Sequence, residues 1–484
     1  MNAKNGVKSV SNIGVLVLAA GLGKRMRSSI PKVLHDLAGK PLIFHVLNQV
    51  QKVCPEASIG IVVGHGRELV EEYIQNEPVF AGLSIHLIQQ AEQKGTGHAA
   101  RCALESEWGS ERVQKDSPIL VLPGDLPLIS ESLIREMIAP LAAKSPLRAL
   151  TCQLSHPTGY GRIVRGSESH KVVRIVEEKD ATPKEREIQE VATSIYFFES
   201  KFLGRSLPAL SANNAQKEYY LTDLVSMASQ GGLEVSTLLW SDVDQLRGVN
   251  DPWELAQARQ IFNENCIKNW AVQGVQFLNP GSVRIECLVT LGSEVVIDSG
   301  VVLQGRTQIG DRCKIGPHSV LKDVTVLSDA MIRAGTVAEE SVVGSFAQVG
   351  PNAHLRPGTE IGPHAKIGNF VELKKTRVGE STSIAHLSYL GDAEVGARVN
   401  IGCGFVTCNF DGRVIDGQRK HRTVIEDDVF LGSACQVVAP LRVGRGAYVA
   451  SGSTLTEDVE AGSLAIARAR QVNKLDYAKK LRKK

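Results

Sequence analysis

The most constraining feature of the chain is a six-residue period in its second half. Helices repeat every 3.6 residues and half-buried strands every 2, so this period predicts one short strand per hexapeptide and three strands per coil. The result would be a triangular parallel β-helix of roughly eight coils, about 40 Å long. The repeating positions, interrupted twice and slipping by one residue in places, are Ile297, Leu303, Ile309, Ile315, Leu321, Leu327, Val343, Val349, Leu355, Ile361, Ile367, Leu373, Val378, Ile384, Leu390, Val395, Ile401, Thr407, Ile425, Leu431, Val437, Val443, Val449 and Leu455.

The repeat also predicts which outward side chains stack on neighbouring coils. Arg356 and Lys374 are eighteen residues apart, which puts two cations on successive coils of one corner. Like charges at this distance repel, so the two side chains either hold an anion such as phosphate or splay into solvent. The polar segment 408–422 breaks the repeat and must leave the coil as a loop, and loops on a rigid solenoid often carry function.

A histidine is predicted close to this pair of cations. Asn369, His386 and Cys403 are seventeen residues apart, and each follows an inward residue by two positions. Glu372 and Tyr389 stack in the same way. Histidine titrates near neutrality, so His386 beside a phosphate clamp is a candidate general base. A purely structural histidine is the alternative.

The first half alternates short apolar runs with amphipathic stretches. This alternation predicts an α/β domain with a mostly parallel sheet covered by helices on both faces. Asp251 and Pro252 are typical of the start of a helix, which would link the two halves. Strands are predicted at 13–20, 58–63, 83–88, 119–122 and 235–239, and helices at 41–53 and 130–142. The predicted domains are 1–250, the linker helix 251–272, a β-helix domain at 273–467 and a basic tail at 468–484.

Two glycine-containing loops and one carboxylate indicate a nucleotide site in the first domain. The first strand ends in the loop 21–26 (GLGKRM), where backbone N–H groups can approach phosphate, and Arg25 and Lys32 add positive charge. The loop 90–98 carries amide and hydroxyl groups that can read a base edge. Asp125 follows a strand at the sheet edge where ligands bind, and one carboxylate with substrate phosphates is a usual Mg²⁺ site. Ordinary turns and a loop at the start of a helix are the alternatives.

Composition narrows the class of protein. The net charge of +3 argues against a general nucleic-acid binder, although residues 468–484 hold eight basic residues and one acidic residue. We interpret this segment as a solubilising tail, with a nucleic-acid or membrane arm as the alternative. The nine cysteines include no Cys-x-x-Cys pair, which predicts a reducing compartment. No apolar run approaches the ~18 residues of a membrane span, so we expect a cytoplasmic protein.

Many short motifs follow one another in an order that resembles one known family. They are LAAGLGKRM, PKVLH, QAEQKGTGHA, PGDLPL, PTGYGRIV, EEKDAT, EYYLTDL and GVN in the first half, and NFVELKK, HLSYLGD, NIGCG and VFLGS in the second. Over about residues 13–470, the chain resembles the bacterial bifunctional N-acetylglucosamine-1-phosphate uridyltransferases/glucosamine-1-phosphate N-acetyltransferases. The resemblance implies a Rossmann-like nucleotidyltransferase domain followed by a left-handed parallel β-helix.

The resemblance implies two reactions in the synthesis of UDP-N-acetylglucosamine for the cell envelope. The first transfers acetyl from acetyl-CoA to glucosamine-1-phosphate. The second joins N-acetylglucosamine-1-phosphate to UTP with release of pyrophosphate. It also implies Mg²⁺, a homotrimer with acetyl-transfer sites between subunits, and small-molecule partners rather than nucleic acid or membrane.

The family motifs also imply roles for individual residues. In the uridyl site, Asp125 and Asn250 would bind Mg²⁺. The nucleotide and sugar would meet Leu18, Ala19, Gly21, Arg25, Lys32, Gln90, Gly95, Thr96, Gly124, Gly161 and Glu177. In the acetyl site, His386 would be the base, supported by Glu372. Arg356, Lys374, Tyr389 and Asn400 would hold the acceptor, and Cys403, Asn409, Phe410, Ser433, Ser451 and Arg468 would line acetyl-CoA.

The chain departs from the family at three positions and in one loop. Ala192 stands where the family has a sugar-contacting Asn, Phe410 where it has Tyr, and Cys403 where it has Ala. The loop after Asp411 is about five residues longer. Two other functions stay open from the residues: a nucleotidyltransferase whose β-helix only oligomerises or regulates, and a scaffold with a degenerate nucleotide domain.

Overall fold

The structure is a computed structural model that describes residues 12–166, 171–412, 414, 417 and 419–482. It divides into two compact units, with the boundary between Phe262 and Asn263. In the described part of the chain, no helix is long and apolar enough to cross a bilayer.

The first unit is built on one large sheet with the strand order β11-β7-β10-β6-β1-β4-β5, in which β8 pairs with β10 and β9 with β8. Strands β6, β1, β4 and β5 run parallel, as does the pair β7–β11, whereas β10 is antiparallel to both neighbours. The strands are β1 (Gly14–Ala19), β2 (Asp36–Leu37), β3 (Lys40–Pro41), β4 (Ser58–Val63), β5 (Ser84–Gln89), β6 (Ile119–Pro123), β7 (Leu147–Gln153), β8 (Arg162–Arg165), β9 (Val172–Val176), β10 (Glu190–Phe198) and β11 (Val235–Leu239). The strands β2 and β3 form a separate hairpin.

The helices between these strands confirm the predicted α/β alternation. They are α1 (Leu42–Val53), α2 (Arg67–Asn76), α3 (Thr96–Glu105), α4 (Glu107–Gln114), α5 (Glu131–Met137), α6 (Pro183–Arg186), α7 (Ser200–Ser206), α8 (Asp223–Gln230) and α9 (Pro252–Val272). Short 3₁₀ turns lie at Lys24–Met26, Lys32–Leu34, Pro78–Phe80, Leu207–Ala209, Val243–Leu246 and Pro280–Ser282. Asp251 caps α9 as expected, since its carboxylate accepts the Glu254 N–H at 2.8 Å.

The central strands of this sheet are apolar throughout because helices cover them. Val15, Leu16 and Val17 of β1 are fully buried, as are Leu120 and Val121 of β6. Such continuous apolar runs are typical of parallel strands that lie inside a domain. The polar residues that follow these strands are therefore held at the end of a rigid platform.

The second unit is the parallel β-helix that the period predicts. Among the described residues, its strands stack in three faces of eleven, ten and nine strands. Two long strands, Lys366–Lys374 and Ser383–Gly391, each span the first and second faces. The first face also has Gln276–Phe277, Val296–Ile297, Lys314–Ile315, Met331–Ile332, Gln348–Val349, Asn400–Ile401, Phe430–Leu431, Tyr448–Val449 and Leu464–Ala465; the second has Arg284–Ile285, Val302–Gln304, Val320–Lys322, Val337–Glu339, His354–Leu355, Val406–Cys408, Gln436–Val438 and Thr454–Leu455; the third has Thr290–Leu291, Gln308–Ile309, Thr325–Val326, Val342–Val343, Glu360–Ile361, Arg377–Val378, Ala393–Val395, Thr423–Ile425 and Leu441–Val443.

The prediction of roughly eight coils was too small. The repeat continues beyond Ile297 and Leu455 through less regular hexapeptides, such as those that bring Phe277 and Ala465 onto the first face. At the usual spacing of stacked strands, the first face is about 48 Å long. The predicted inward position of Leu327 was also wrong: the coil is one residue shorter there, so Val326 points inward and Leu327 is exposed.

The corners and the glycines of the β-helix serve different purposes. Residues at the corners, such as Arg312, Asp329 and Arg398, have positive φ although they are not glycine. The glycines that follow inward residues instead allow close approach of coils, since a Cβ on Gly368 would lie 1.8 Å from Ala385 O.

The predicted basic tail is exposed in its described part. It contains a short helix, α10 (Tyr477–Leu481). Lys479 pairs with Asp476 at 2.7 Å on its surface.

Candidate functional site

The carboxyl ends of β1 and β6 open into a cleft of about 750 Å³. Its lining contains nearly every residue expected at the nucleotide site: Leu18, Ala19, Gly21, Arg25, Lys32, Gln90, Gly95, Thr96, Asp125, Gly161, Glu177 and Asn250. Gly124 is beside the cleft rather than in its lining, and its N–H donates to Leu18 O at 2.9 Å. The sheet edge thus gathers residues from six separate segments of the chain into one cavity.

A cation and two oxygen ligands meet in this cleft. Lys32 Nζ contacts Asp125 Oδ2 and lies 3.2 Å from Asn250 Oδ1. Val249 N–H donates to Asp125 O at 3.0 Å, which joins the segment before α9 to the end of β6. Glu254 accepts the Asn250 N–H at 2.6 Å. The two oxygens are therefore held side by side, although Asp125 and Asn250 are far apart in sequence.

The residues present fit a magnesium ion that is completed by substrate. No group of three or more His, Cys, Asp or Glu among the described residues could hold a metal alone. Asp125 and Asn250 offer a carboxylate and an amide oxygen, the hard ligands that Mg²⁺ takes together with phosphates. The Lys32 ammonium between them indicates that this position favours a cation.

A second wall of the cleft carries groups suited to a nucleobase. Gln90 follows β5 and is buried. Gly95 has φ of +99°, and a Cβ there would lie 2.6 Å from Tyr219 O, so only glycine fits. Thr96 begins α3, and its hydroxyl accepts the Leu221 N–H at 3.2 Å. Close packing of two chain segments therefore fixes this loop.

The opposite wall carries a half-buried carboxyl group. Glu177 follows β9, and the Thr222 hydroxyl donates to its Oε1 at 2.9 Å. Burial raises the pKa of Glu177, and the carboxylates of Asp223 and Asp180 raise it further. Gly161, directly before β8, faces the same wall.

The departure at Ala192 leaves a methyl group on this wall. Ala192 lies on β10, and its N–H donates to Gly161 O at 2.9 Å. The Thr193 hydroxyl donates to Leu150 O at 3.0 Å. Ser194 lies in a bulge with φ of 61° and brings an exposed hydroxyl to the cleft.

The β-helix aligns the predicted base with the predicted coenzyme residues. Each member of this column follows an inward residue of the first face by two positions, and together they occupy five successive coils. The column is Asn369, His386, Cys403, Ser433 and Ser451. At the usual strand spacing it is about 19 Å long. Four of its members, all but Asn369, are exposed, so it forms a solvent-facing track.

Asn369 orients His386. Asn369 Oδ1 lies 3.2 Å from His386 Nδ1. An oxygen at this distance accepts from Nδ1–H, which leaves Nε2 as the basic nitrogen. The Cys403 N–H on the next coil takes part in none of the hydrogen bonds found among the described residues. The track therefore offers a base and a free backbone donor.

The stacking of the two cations is confirmed by the strand register. Leu355 pairs with Leu373, which aligns Arg356 with Lys374. Glu372 lies in register with Tyr389, and its Oε1 is 2.8 Å from Arg356 Nη1. Glu372 thus supplies part of the negative charge that the two cations require. Among the described residues, no carboxylate oxygen lies within 4.0 Å of Lys374 Nζ.

Two predicted site residues converge over Gly391. A Cβ there would lie 2.4 Å from both Tyr389 Oη and Asn409 Nδ2. Asn409 is buried and donates to Asp392 Oδ2 at 2.6 Å. Gly391 is in register with Lys374, so the tyrosine hydroxyl lies over the position of its own coil that stacks on that lysine.

The loop after this point contributes aromatic and basic groups. Phe410 is exposed, and Lys420 Nζ lies 4.2 Å from the centre of its ring. His421 is buried, 3.3 Å from Asp411 Oδ1. None of the described residues between the flanking strands of this loop is in a helix or strand. Of the other predicted residues, Asn400 is exposed beside the track and Arg468 is exposed beside Gly452.

Several supporting residues were missed by the sequence analysis. Asn369 was noticed only as a stacked position, although its seventeen-residue spacing from His386 already predicted the contact. Glu254, Thr222 and Ser194 had no signal of their own, because each acts through contacts between distant segments. Gln93 is a similar case: its side-chain amide donates to Ala20 O at 2.7 Å and so holds the residue directly before the loop 21–26.

Comparison with known families defines the class of protein. The family model "MobA-like NTP transferase domain" matches residues 15–181. The model "Bacterial transferase hexapeptide (six repeats)" matches residues 289–323 and 340–375. The cleft and the track therefore belong to a two-part enzyme, a nucleotidyltransferase joined to a hexapeptide-repeat transferase.

Relatives that match almost the full length of the chain show to which family it belongs. The Bifunctional protein GlmU of Alcanivorax borkumensis is 44% identical over 462 residues, which is 96% of this chain and 98% of that protein. The same-named protein of Carboxydothermus hydrogenoformans is 43% identical over 96% of this chain and 99% of its own length. That of Pelobacter propionicus is 42% identical over 98% of this chain and 100% of its own length. The chain belongs to the GlmU family of bifunctional proteins, which confirms the resemblance seen in its motifs.

Proposed function

We propose that the chain catalyses two steps of UDP-N-acetylglucosamine synthesis, with the two reactions divided between its two units. The second unit acetylates glucosamine-1-phosphate with acetyl-CoA. The first unit transfers uridylyl from UTP to the resulting N-acetylglucosamine-1-phosphate and releases pyrophosphate. The observation that carries the proposal is that the cleft and the track each gather groups suited to one of the two reactions, on one chain of the GlmU family.

In the nucleotide cleft, catalysis needs positioning and charge neutralisation rather than a base. The attacking sugar phosphate is already an oxyanion, so no protein group has to remove a proton. Lys32 and Arg25 would neutralise the triphosphate. Asp125 and Asn250 would hold Mg²⁺, which when bound draws charge from the phosphate oxygens. Glu177 and Gly161 would contact the sugar, where Ser194 offers the exposed hydroxyl and Ala192 none.

In the acetyl site, His386 would act as the general base. The amine of glucosamine-1-phosphate attacks the thioester carbonyl, His386 Nε2 takes the amine proton, and coenzyme A leaves as its thiolate. The Cys403 N–H would donate to the tetrahedral oxyanion. Arg356, Lys374 and Tyr389 would hold the sugar phosphate, and the exposed track toward Ser451 would hold the extended coenzyme.

The assembly and the compartment belong to the same proposal. A homotrimer would let residues of a neighbouring copy complete each acetyl site. The nine cysteines include no Cys-x-x-Cys pair, which supports a reducing compartment and thus the cytoplasm. We propose that the nucleotidyltransferase domain ends at residue 250, that the helix 251–272 is the linker, and that the β-helix domain spans 273–467.

Product analysis tests the proposal directly. The full-length chain is mixed with glucosamine-1-phosphate, acetyl-CoA, UTP and Mg²⁺, and each component is then left out in turn. We expect UDP-N-acetylglucosamine only in the complete mixture, and N-acetylglucosamine-1-phosphate without UTP. Failure to acetylate, together with uridylyl transfer from added N-acetylglucosamine-1-phosphate, would indicate a β-helix that only oligomerises or regulates.

A further inference from the structure

The orientation of the Gln90 amide is set from inside the protein. Gln90 lines the cleft, and its Nε2 lies 3.2 Å from Gly95 O. A backbone carbonyl only accepts hydrogen bonds, so the nitrogen of the amide must face it. The oxygen, Oε1, is consequently the end of the amide that remains for the cleft. No donor to Oε1 is found among the described residues.

His98 contacts the same nitrogen of the Gln90 amide. His98 Nδ1 lies 3.0 Å from the same Nε2 of Gln90. Because Gln90 donates here, Nδ1 must accept, and the ring proton must be on Nε2. That nitrogen faces Cys102 Sγ at 3.7 Å, one turn further along α3. A flipped amide would place its oxygen against Gly95 O, and His98 could donate to that oxygen only if its ring proton left Nε2, which faces Cys102 Sγ, for Nδ1.

Neighbouring rings limit the movement of His98. Its ring centre is 6.3 Å from that of Tyr219, in a tilted arrangement. The Arg101 guanidinium lies 4.7 Å over the Tyr219 ring and is fixed by a 3.0 Å bond to Leu207 O. The His98 ring therefore projects from α3 toward the Tyr219 ring, which the Arg101 guanidinium covers.

We propose that His98 is a specificity-determining positioning residue that makes Gln90 present an acceptor to the nucleobase. The inference rests on the proposed function, because it concerns the nucleotide of the same cleft. A pyrimidine with an N–H at position 3, as in uracil, can donate to Oε1. Cytosine carries a lone pair on its position-3 nitrogen, which would face a lone pair of Gln90 Oε1. The relay from His98 through Gln90 therefore selects UTP over CTP.

The test compares UTP with CTP in the full-length chain. Uridylyl and cytidylyl transfer to N-acetylglucosamine-1-phosphate are measured as kcat/KM for wild type and for His98→Phe, which keeps a ring but removes the acceptor. We expect the UTP preference to fall at least about tenfold in the variant, as expected for one mispaired hydrogen bond. The KM for the sugar phosphate should stay within about twofold, since Gln90 does not contact the sugar.

Two further variants make the result specific. In His98→Asn, the amide oxygen can occupy the position of Nδ1 and accept the same bond, so the UTP preference should return to within about threefold of wild type. His86→Phe, which changes an exposed histidine of β5, is the matched control and should behave as wild type. Acetyl transfer by each variant reports that the chain is intact.

Three outcomes would overturn the inference. These are an unchanged UTP preference in His98→Phe, an equal loss with both nucleotides, or a loss in His98→Asn as large as in His98→Phe. A wild-type chain that used UTP and CTP equally would also reject it while keeping nucleotidyl transfer. A wild-type chain that transferred neither nucleotide would instead reject the proposed function.

Discussion

Glu177, a half-buried residue of the nucleotide cleft, lowers the stability of the fold when it ionises. Its carboxyl group is removed from water and lies near Asp223 and Asp180, so its pKa is raised. A group with a raised pKa binds its proton more tightly in the folded state than in the unfolded state. Between the ordinary value near 4.3 and the folded value, stability therefore falls as the pH rises.

Replacing Glu177 by Gln should remove this pH dependence. The amide keeps a hydrogen-bond acceptor for Thr222 and cannot ionise. We expect the melting temperature of Glu177→Gln to exceed that of wild type by at least about 2 °C at pH 7, and the difference to vanish below pH 4. Calorimetry or circular dichroism across this range, without ligand, measures the effect. Glu187→Gln, at an exposed carboxylate, is the control; a difference that persists at low pH would contradict the account.

At the scale of one element, the coils of the β-helix are joined by buried hydroxyl groups. Thr376 is fully buried, and its Oγ1 lies 3.0 Å from both Lys374 O and Leu390 O, on its own coil and the next. Thr359 makes the same pair of contacts one coil earlier, at 2.7 and 3.2 Å. These hydroxyls add a second hydrogen bond at carbonyls such as Lys374 O and Leu373 O, which already accept the backbone N–H groups of Asp392 and Arg356.

Thr376→Val tests the value of these bonds. Valine has nearly the same shape but cannot donate, so we expect a loss of about 1 kcal/mol in the free energy of unfolding. In urea titrations this should appear as a lower midpoint with an unchanged slope. Thr454→Val, at an exposed threonine, should leave the midpoint within error. Equal midpoints for Thr376→Val and wild type would show that the buried hydroxyl contributes nothing.

Gly391→Ala tests the convergence of Tyr389 and Asn409. The added methyl would lie 2.4 Å from both side chains, so at least one must move. Because Tyr389 is proposed to hold the sugar phosphate, we expect acetyl transfer to fall on the order of a hundredfold, with nucleotidyl transfer unchanged. Gly281→Ala, at a glycine with open space around it, is the control. Full acetyl transfer by Gly391→Ala would remove Tyr389 and Asn409 from the proposed site.

The strand register was predictable because each coil repeats the same inward aliphatic positions. The pairs Arg356–Lys374, Asn369–His386 and Glu372–Tyr389 follow from counting alone. Leu327 was misplaced because a corner can lose one residue without losing an aliphatic side chain, and the neighbouring Val326 serves equally well. Periodicity therefore predicted the column of His386, but not where each coil is shortened.

At the scale of the whole molecule, the two units differ in how much of their structure could be predicted from sequence. The strands β1, β4, β5, β6 and β11 were predicted from their apolar runs, whereas β7, which runs parallel to β11, was not. The antiparallel strands β8, β9 and β10 were not, since their pairing depends on long-range contacts without a local pattern. The contacts of Glu254 with Asn250 and of Thr222 with Glu177 were missed for the same reason. The long loop 408–422 likewise has no period to predict its course.

The central claim is that one chain carries two separate active sites, and a crossed pair of variants tests it most directly. Both activities are measured in full-length wild type, His386→Ala and Asp125→Ala, with Mg²⁺ and saturating substrates. We predict that His386→Ala loses acetyl transfer by at least about a hundredfold and keeps uridylyl transfer, whereas Asp125→Ala shows the reverse. Unimpaired acetyl transfer in His386→Ala, or loss of both activities in either folded variant, would contradict the assignment.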